Sequence, residues 1–204
     1  MSVLRKLFGP SRDEIWAQIA YDLGADYGDG GFWERDYISY LHGEWEIILD
    51  TYTQSTGKSS VTYTRMRAPF VNRDSLYFKI YRAGFFSNMG KYFGMQDIEI
   101  GDEFFDKNFV IKGSDQLQIA RLLVGDDIKA LIERHPKIHF EIRDDEGIFT
   151  KKYPEGVDEL YFQCVGVLKD QTRIKDLFDL FAFTLERLVA IDSAYAHDPN
   201  GRFV

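Results

Sequence analysis

Basic and aromatic side chains alternate along two strand-like stretches in the first half of the chain. Tyr63, Arg65 and Arg67 share one face of the first stretch, and Lys79 shares a face with Tyr81 in the second, because strand side chains point alternately to opposite faces. Guanidinium groups bind carboxylates and phosphates through paired hydrogen bonds, and aromatic rings add cation–π contacts. If the two strands are hairpin neighbours, six residues form one cationic aromatic face for an anionic ligand: Tyr63, Arg65, Arg67, Lys79, Tyr81 and Arg82.

The charge of the chain is unevenly distributed around these residues. The segment 51–96 contains seven basic residues and one acid, a net +6, which leaves −14 for the remainder of a chain whose total is −8. A negatively charged chain is a poor general binder of nucleic acid, because that affinity depends on neutralising phosphates. The local excess instead predicts a selective face for an anionic ligand or a protein partner.

A glycine-flanked aromatic segment follows the second of these strands. Phe85, Phe86, Met89 and Phe93 form a compact apolar stripe, with Lys91 beside it. A loop of this composition suits docking on a partner or on an anionic membrane surface.

The same residues allow two structural interpretations. The arginines can pair with acids inside the fold, since the remainder of the chain carries the opposite charge. The aromatic residues, 16% of the chain, can instead cover an interface, which makes the protein a structural subunit of a homo-oligomer.

An enzyme is the alternative from a different functional class. No nucleophile elbow, phosphate-binding loop or calcium loop is present in the sequence, so no catalytic residue, metal or cofactor is predicted. His135 and His139 have helical metal-ligand spacing, but Pro136 lies between them, and we expect both to be exposed. An enzyme site therefore requires dispersed residues, such as His42 and His139 with nearby carboxylates. The single cysteine, Cys164, lies within a predicted strand, where a buried and inert thiol is expected.

The elements that position these residues are predicted from hydrophobic periodicity and capping signals. Ser11 and Glu14 form a capping box before an N-terminal helix, and Asp170 caps a long C-terminal helix. Ser114 or Asp115 begins a central pair of helices. Period-two patterns predict strands within 36–82, 97–112, 138–143 and 160–168. The expected fold is α+β, with mostly antiparallel sheet in one domain over 11–197 and flexible tails at 1–10 and 198–204.

One motif resembles a known group of sequences. Residues 100–115 read IGDEFFDKNFVIKGSD, and Ala120 to Leu123 follow with ARLL. This resembles the GD-x-x-FD-x-x-F-x-V-x-G-x-D pattern of uncharacterised bacterial domains of unknown function, which implies no activity. We interpret the motif as architecture: a turn at Gly101 and Asp102, anchors at Phe105 and Phe109, a helix cap and a packed Leu122–Leu123 pair.

The expected location is the cytoplasm. No apolar run approaches the roughly 18 residues that span a bilayer, and the N-terminus lacks a signal-peptide core. The leading hypothesis is therefore a non-enzymatic binding or scaffold domain of a bacterial cytoplasm, with an anionic ligand, a protein partner or a membrane surface bound at the cationic aromatic face.

Overall fold

The computed structural model describes residues 10–29, 36–55, 57–84, 96–144, 153–197 and 199. Within these residues the chain forms five helices and nine strands. The helices are α1 (Arg12–Leu23), α2 (Glu103–Asn108), α3 (Gln116–Leu122), α4 (Asp127–Glu133) and α5 (Gln171–Ala190). The strands are β1 (Asp26–Gly28), β2 (Tyr37–His42), β3 (Trp45–Ser55), β4 (Ser60–Val71), β5 (Phe78–Arg82), β6 (Gln96–Ile98), β7 (Phe109–Gly113), β8 (His139–Arg143) and β9 (Val157–Val165).

All nine strands belong to one antiparallel sheet with the order β1-β2-β3-β4-β9-β8-β5-β7-β6. The first four strands follow the chain as a meander, and β9 returns from the far end of the chain to pair with β4. As a result, β9 and β8 separate β4 from β5. The predicted α+β class is confirmed, with an N-terminal helix, a central helix pair and a long C-terminal helix around an antiparallel sheet.

Local capping signals fix the ends of the two terminal helices. The Ser11 hydroxyl accepts a hydrogen bond from the Glu14 backbone N–H, and the Glu14 carboxylate accepts one from the Ser11 backbone N–H, so the predicted capping box is present. Gly24 ends α1 in the left-handed conformation that glycine adopts without strain. Asp170 caps α5 by accepting from the backbone of its first turn.

One face of the sheet packs against the helices and forms the apolar core. Phe140 of β8 contacts the rings of Phe78 and Phe181, with centroids 5.3 and 5.6 Å away, and Tyr40 meets Phe178 edge-on at 5.7 Å. Phe178 and Phe181 belong to α5, which therefore lies across the sheet on the side of these residues. None of the helices in the described ranges is long and apolar enough to cross a lipid bilayer.

The motif at residues 100–115 has the structural roles expected of it, with one difference. The Asp102 carboxylate accepts two backbone hydrogen bonds and caps α2, a helix in a stretch where only strands were predicted. Phe105 and Phe109 are buried and stacked at 4.6 Å. Asp115, rather than Ser114, caps α3. The two short strands predicted within 97–112 are present as β6 and β7, and the helix between them, which Asp102 caps, was not predicted.

Pro69 lies inside β4, at a place where one side of the strand is an edge. The pairing of β4 with β3 ends at Arg67, whereas its pairing with β9 continues through Pro69, which faces Glu159. A proline has no N–H for a ladder, so it suits a strand only where one side needs no donor. Pro69 thus lies beyond the last residue of β4 that pairs with β3.

Candidate functional site

The register of five adjacent strands brings charged and aromatic side chains into two rows on the sheet face opposite the core. The first row, from β3 to β5, contains Asp50, Arg65, Gln163, His139 and Tyr81. The second contains Ile48, Arg67, Tyr161, Glu141 and Lys79. We call the side chains of these rows, with their contacting neighbours Tyr52, Tyr63, Arg143, Tyr153 and Glu159, the polar sheet face.

At one end of the polar sheet face, a single carboxylate holds two arginines. Arg65 donates to both oxygens of Asp50, from Nε at 2.5 Å and Nη2 at 2.9 Å, and Arg67 donates from Nη2 at 3.0 Å. Burial lowers the pKa of Arg65, but the hydrogen bonds and charge of Asp50 outweigh that effect and raise it. The two side chains remain 20% and 16% exposed. This end of the face therefore presents two oriented guanidinium groups that share one internal anion.

At the other end, a lysine, a glutamate and a histidine meet in the interior. Lys79 Nζ lies 3.0 Å from Glu141 Oε2, and His139 Nε2 lies 3.1 Å from Glu141 Oε1. Lys79 is 1% exposed and His139 2% exposed. Burial raises the pKa of Glu141, yet the contacts with His139 and the charge of Lys79 together lower it to about 2. A carboxylate that stays ionised at this depth holds both basic partners in place.

Hydrogen-bonded tyrosines join the two ends. Gln163 Oε1 accepts from Tyr52 Oη at 2.6 Å and from Tyr161 Oη at 2.9 Å, and Gln163 Nε2 lies 3.4 Å from His139 Nδ1. The Tyr52 ring stacks on Tyr63 at 5.1 Å and lies 5.2 Å below the Arg65 guanidinium. Burial raises the pKa of Tyr161. These phenols are therefore neutral donors at physiological pH, and they leave aromatic surface beside the arginines.

A further ion pair lies along the edge of the same rows. Arg143 donates to Glu159 Oε2 from Nη2 at 2.6 Å and from Nε at 2.8 Å, while the Tyr153 hydroxyl donates to Glu159 Oε1 at 3.0 Å. The Arg143 guanidinium sits over the Tyr161 ring, 3.3 Å from its centroid. Counted together, the polar sheet face has four cations, Arg65, Arg67, Lys79 and Arg143, against three carboxylates, Asp50, Glu141 and Glu159. Among these described side chains, the cations outnumber the carboxylates by one.

A search of family models finds no match to the chain, and a search of curated proteins also finds none. Among solved structures, the chain is similar to the mycobacterial trehalose monomycolate transport factor A, TtfA. The identity is 9% and the TM-score 0.45, over 94% of this chain and 98% of that one.

The structure places five of the six predicted ligand-binding residues on this face, but not as hairpin neighbours. Two strands, β9 and β8, separate Arg65 and Arg67 from Lys79 and Tyr81. At about 4.8 Å per strand, the two groups lie about 14 Å apart. Arg82 points elsewhere: its Nη2 lies 3.3 Å from Asn108 Oδ1 and its guanidinium over the Phe109 ring. The assumption of a single hairpin was wrong because a strand pair from the second half of the chain inserts there.

The histidines and the cysteine are placed differently from one another. His135 and His139 are buried, so the expectation that both are exposed was wrong. His42 lies 2.9 Å from Glu186 of α5, stacked on Trp45, and is not brought near His139. Cys164 is buried, and burial raises the pKa of its thiol, as expected for an inert residue. Within the described ranges, no group of three or more His, Cys, Asp or Glu side chains is arranged to hold a metal ion.

Several members of the polar sheet face were not predicted as site residues. Asp50 and Glu141 lie on strands whose alternation was predicted. Tyr161 and Gln163 lie within the predicted strand 160–168, whereas Glu159 precedes it. The partners of these strands were not predicted. The signal that identifies them is a polar residue at every second position of a strand whose other face is apolar. The predicted partner or membrane loop, with Phe85, Phe86, Met89 and Phe93, lies outside the described residues.

Proposed function

We propose that this protein is a non-enzymatic binding domain that holds a small anionic ligand on the polar sheet face. The ligand class is a carboxylate or phosphate attached to a ring or apolar group. The arginines Arg65, Arg67 and Arg143 bind the anion, and the rings of Tyr52 and Tyr63 contact the rest of the ligand.

The observation that carries this proposal is the sharing of Asp50 by Arg65 and Arg67. The two guanidinium groups lie side by side around one carboxylate, and both side chains stay partly exposed next to the stacked rings of Tyr52 and Tyr63. The arginines are only partly exposed. A small ligand can reach such side chains more easily than a flat membrane surface can, so a small ligand is favoured. In this proposal, Asp50 occupies part of the ligand's place when no ligand is bound.

Removing that internal anion tests the proposal directly. We expect Asp50→Asn to raise the affinity for inorganic phosphate or glycerol phosphate about tenfold, because the two arginines lose their competing carboxylate. Thermal shift against each anion measures the effect, since a ligand at 100 times its dissociation constant stabilises a protein by about 2.7 kcal/mol. Asp192→Asn is the matched control, because Asp192 pairs with Arg73 away from this face.

A charge-preserving variant separates specific binding from general attraction. Arg65→Lys with Arg67→Lys keeps both charges but removes the planar fork, and we expect phosphate affinity to fall about tenfold. Equal anion affinity in the wild type, the lysine variant and Asp50→Asn would contradict the proposal and leave the cluster a purely structural one.

A second candidate function rests on the buried contact between His139 and Glu141. A histidine oriented by a carboxylate is a common general base, and these two lie 3.1 Å apart beside Lys79. In this alternative the protein is an enzyme that uses acid–base catalysis, and His42 takes no part in it. We expect His139→Gln to abolish any turnover of p-nitrophenyl esters or phosphates by the wild type; turnover that persists in this variant, or none in the wild type, would remove the alternative for these substrate classes.

A further inference from the structure

A pocket of about 360 Å³ opens at the corner where α2, α3 and α4 meet, away from the central strands. Ile100, Ala120, Leu123 and Val124 supply apolar walls, and Asp102 and Lys129 lie at its polar side. We call these side chains the corner pocket. Its volume suits one or two large apolar side chains of a partner better than a whole cofactor.

The helix α3 presents an apolar stripe that continues the pocket onto the surface. Leu117 and Ala120 lie three residues apart on one side of α3, and Val124 follows just after the helix ends. Leu117 and Val124 are among the large apolar side chains that the described residues expose, whereas Ile119 and Leu122 on the other side are buried in the core. The corner therefore has an apolar surface that the fold itself leaves in contact with solvent.

Acidic residues surround this apolar surface. The segment 96–129 contains eight acids and four basic residues, the reverse of the balance in 51–96. Lys129 is neutralised within the pocket, with Nζ 2.6 Å from Asp102 and 3.5 Å from Asp126. Asp126 remains 98% exposed, and Glu103 is also exposed. Arg187 pairs with Asp127 and donates to the carbonyl of Val124. The acids around the corner pocket, Asp102, Glu103, Asp126 and Asp127, still outnumber its basic side chains, Lys129 and Arg187, and they lie beside both polar and apolar parts of the lining.

We propose that the corner pocket docks a basic amphipathic peptide segment of a partner protein. An apolar side chain of that segment fills the pocket beside Ala120 and Leu123, and its lysines or arginines meet Glu103 and Asp126. A small anion is disfavoured here, because the rim repels it and Lys129 is already paired. This site is separate from the polar sheet face, which has the opposite charge.

The test uses the full chain and a labelled amphipathic peptide of leucine and lysine, with affinity measured by fluorescence anisotropy. We expect the wild type to bind, Ala120→Trp to weaken binding about tenfold by filling the pocket, and Val124→Ser to weaken it without touching the core. Glu103→Gln with Asp126→Asn is expected to weaken binding similarly and to reduce its salt dependence.

A matched control neutralises two exposed acids elsewhere. Asp26→Asn with Glu44→Gln removes the same charge from the opposite end of the sheet order, and we expect wild-type affinity. Loss of affinity in this control equal to that of the Glu103 and Asp126 variant would overturn the proposal, because binding would then follow net charge alone. Undiminished binding by both Ala120→Trp and Val124→Ser, or no binding by the wild type, would also overturn it. Anion binding at the polar sheet face is measured separately and is expected to be unchanged in every corner variant.

Discussion

The two faces of the central sheet use the same backbone but opposite chemistry. On the core face of β8, Phe140 packs against Phe78 and Phe181; on the other face of the same strand, His139 and Glu141 meet Lys79. Apolar burial stabilises in proportion to the area removed from water, without directional partners. A buried ion cluster must offset its own desolvation, and apolar replacements of such clusters are often as stable or more stable.

This difference indicates what each face contributes. Stability of the fold is explained by the core face, where sheet and helices bury a continuous apolar layer. Because apolar replacements of buried ion clusters are often as stable, stability alone does not account for the charges of the polar sheet face, which is consistent with the binding role proposed for it.

The largest effect is expected on the core face. Phe140→Ala removes a ring that is almost fully buried between two others, and we expect a loss of about 3–5 kcal/mol in the free energy of unfolding. Urea denaturation measures this loss. A change below about 1 kcal/mol would show that α5 does not depend on this contact.

Breaking the buried cluster on the other face is expected to be nearly as costly, but for a different reason. Glu141→Gln leaves Lys79 without its carboxylate, and removal of one partner of a buried pair costs about 3–5 kcal/mol. The double variant Lys79→Met with Glu141→Leu removes both charges, and we expect most of that loss to be recovered. Urea denaturation compares the two; a double variant as unstable as the single one would make the ion pair essential to the fold.

The pH dependence of stability separates a core histidine from the buried cluster. Burial, with smaller effects from Arg173 and Arg134, lowers the pKa of His135 from 6.5 to about 4. Below pH 6.5 the unfolded chain binds a proton that the folded state does not, so stability falls by up to about 3 kcal/mol between pH 6.5 and 4. The contribution of Glu141, whose pKa is lowered from 4.5 to about 2, is present above pH 4.5 and is lost as the pH falls through 2.

His135→Phe tests this assignment, because neither ring nitrogen of His135 has a hydrogen-bond partner among the described residues. We expect the variant to lose the stability change between pH 6.5 and 4 and to keep the change below pH 4.5. Denaturation midpoints from pH 2 to 8 measure both windows, and the exposed His197→Gln serves as the control. An unaltered upper window in His135→Phe would contradict the assignment.

The smallest effect is expected at the outer end of the polar row. Lys112 faces Lys79 across β7 and β5, and pairs at 2.6 Å with Asp97, which is exposed. Ion pairs in contact with water are worth at most about 1 kcal/mol, so Lys112→Ala should change the free energy of unfolding by less than that. A loss comparable to that of Glu141→Gln would mean that exposure does not separate these two pairs.

The helix ends and the alternation of strand faces follow from short stretches of the sequence. The capping box at Ser11, the αL glycine at Gly24, the cap at Asp170 and the apolar stripe of α5 follow from interactions within a few residues of the chain. Period-two patterns also placed Arg65 and Arg67 on one face of β4 and His139 and Glu141 on one face of β8. These features are local, so they are visible without knowledge of the fold.

Which charged side chains meet depends on the pairing of distant strands. The insertion of β9 and β8 between β4 and β5 joins residues about a hundred positions apart, such as Arg67 and Tyr161. That choice depends on how the whole sheet buries its core face against α5, and no short segment encodes it. The same packing buries His135 and His139 and keeps His42 away from His139. It also gives Arg65 and Arg67 a shared partner in Asp50. Local chemistry therefore fixed the side chains that each strand offers, and long-range strand pairing fixed the partners they find.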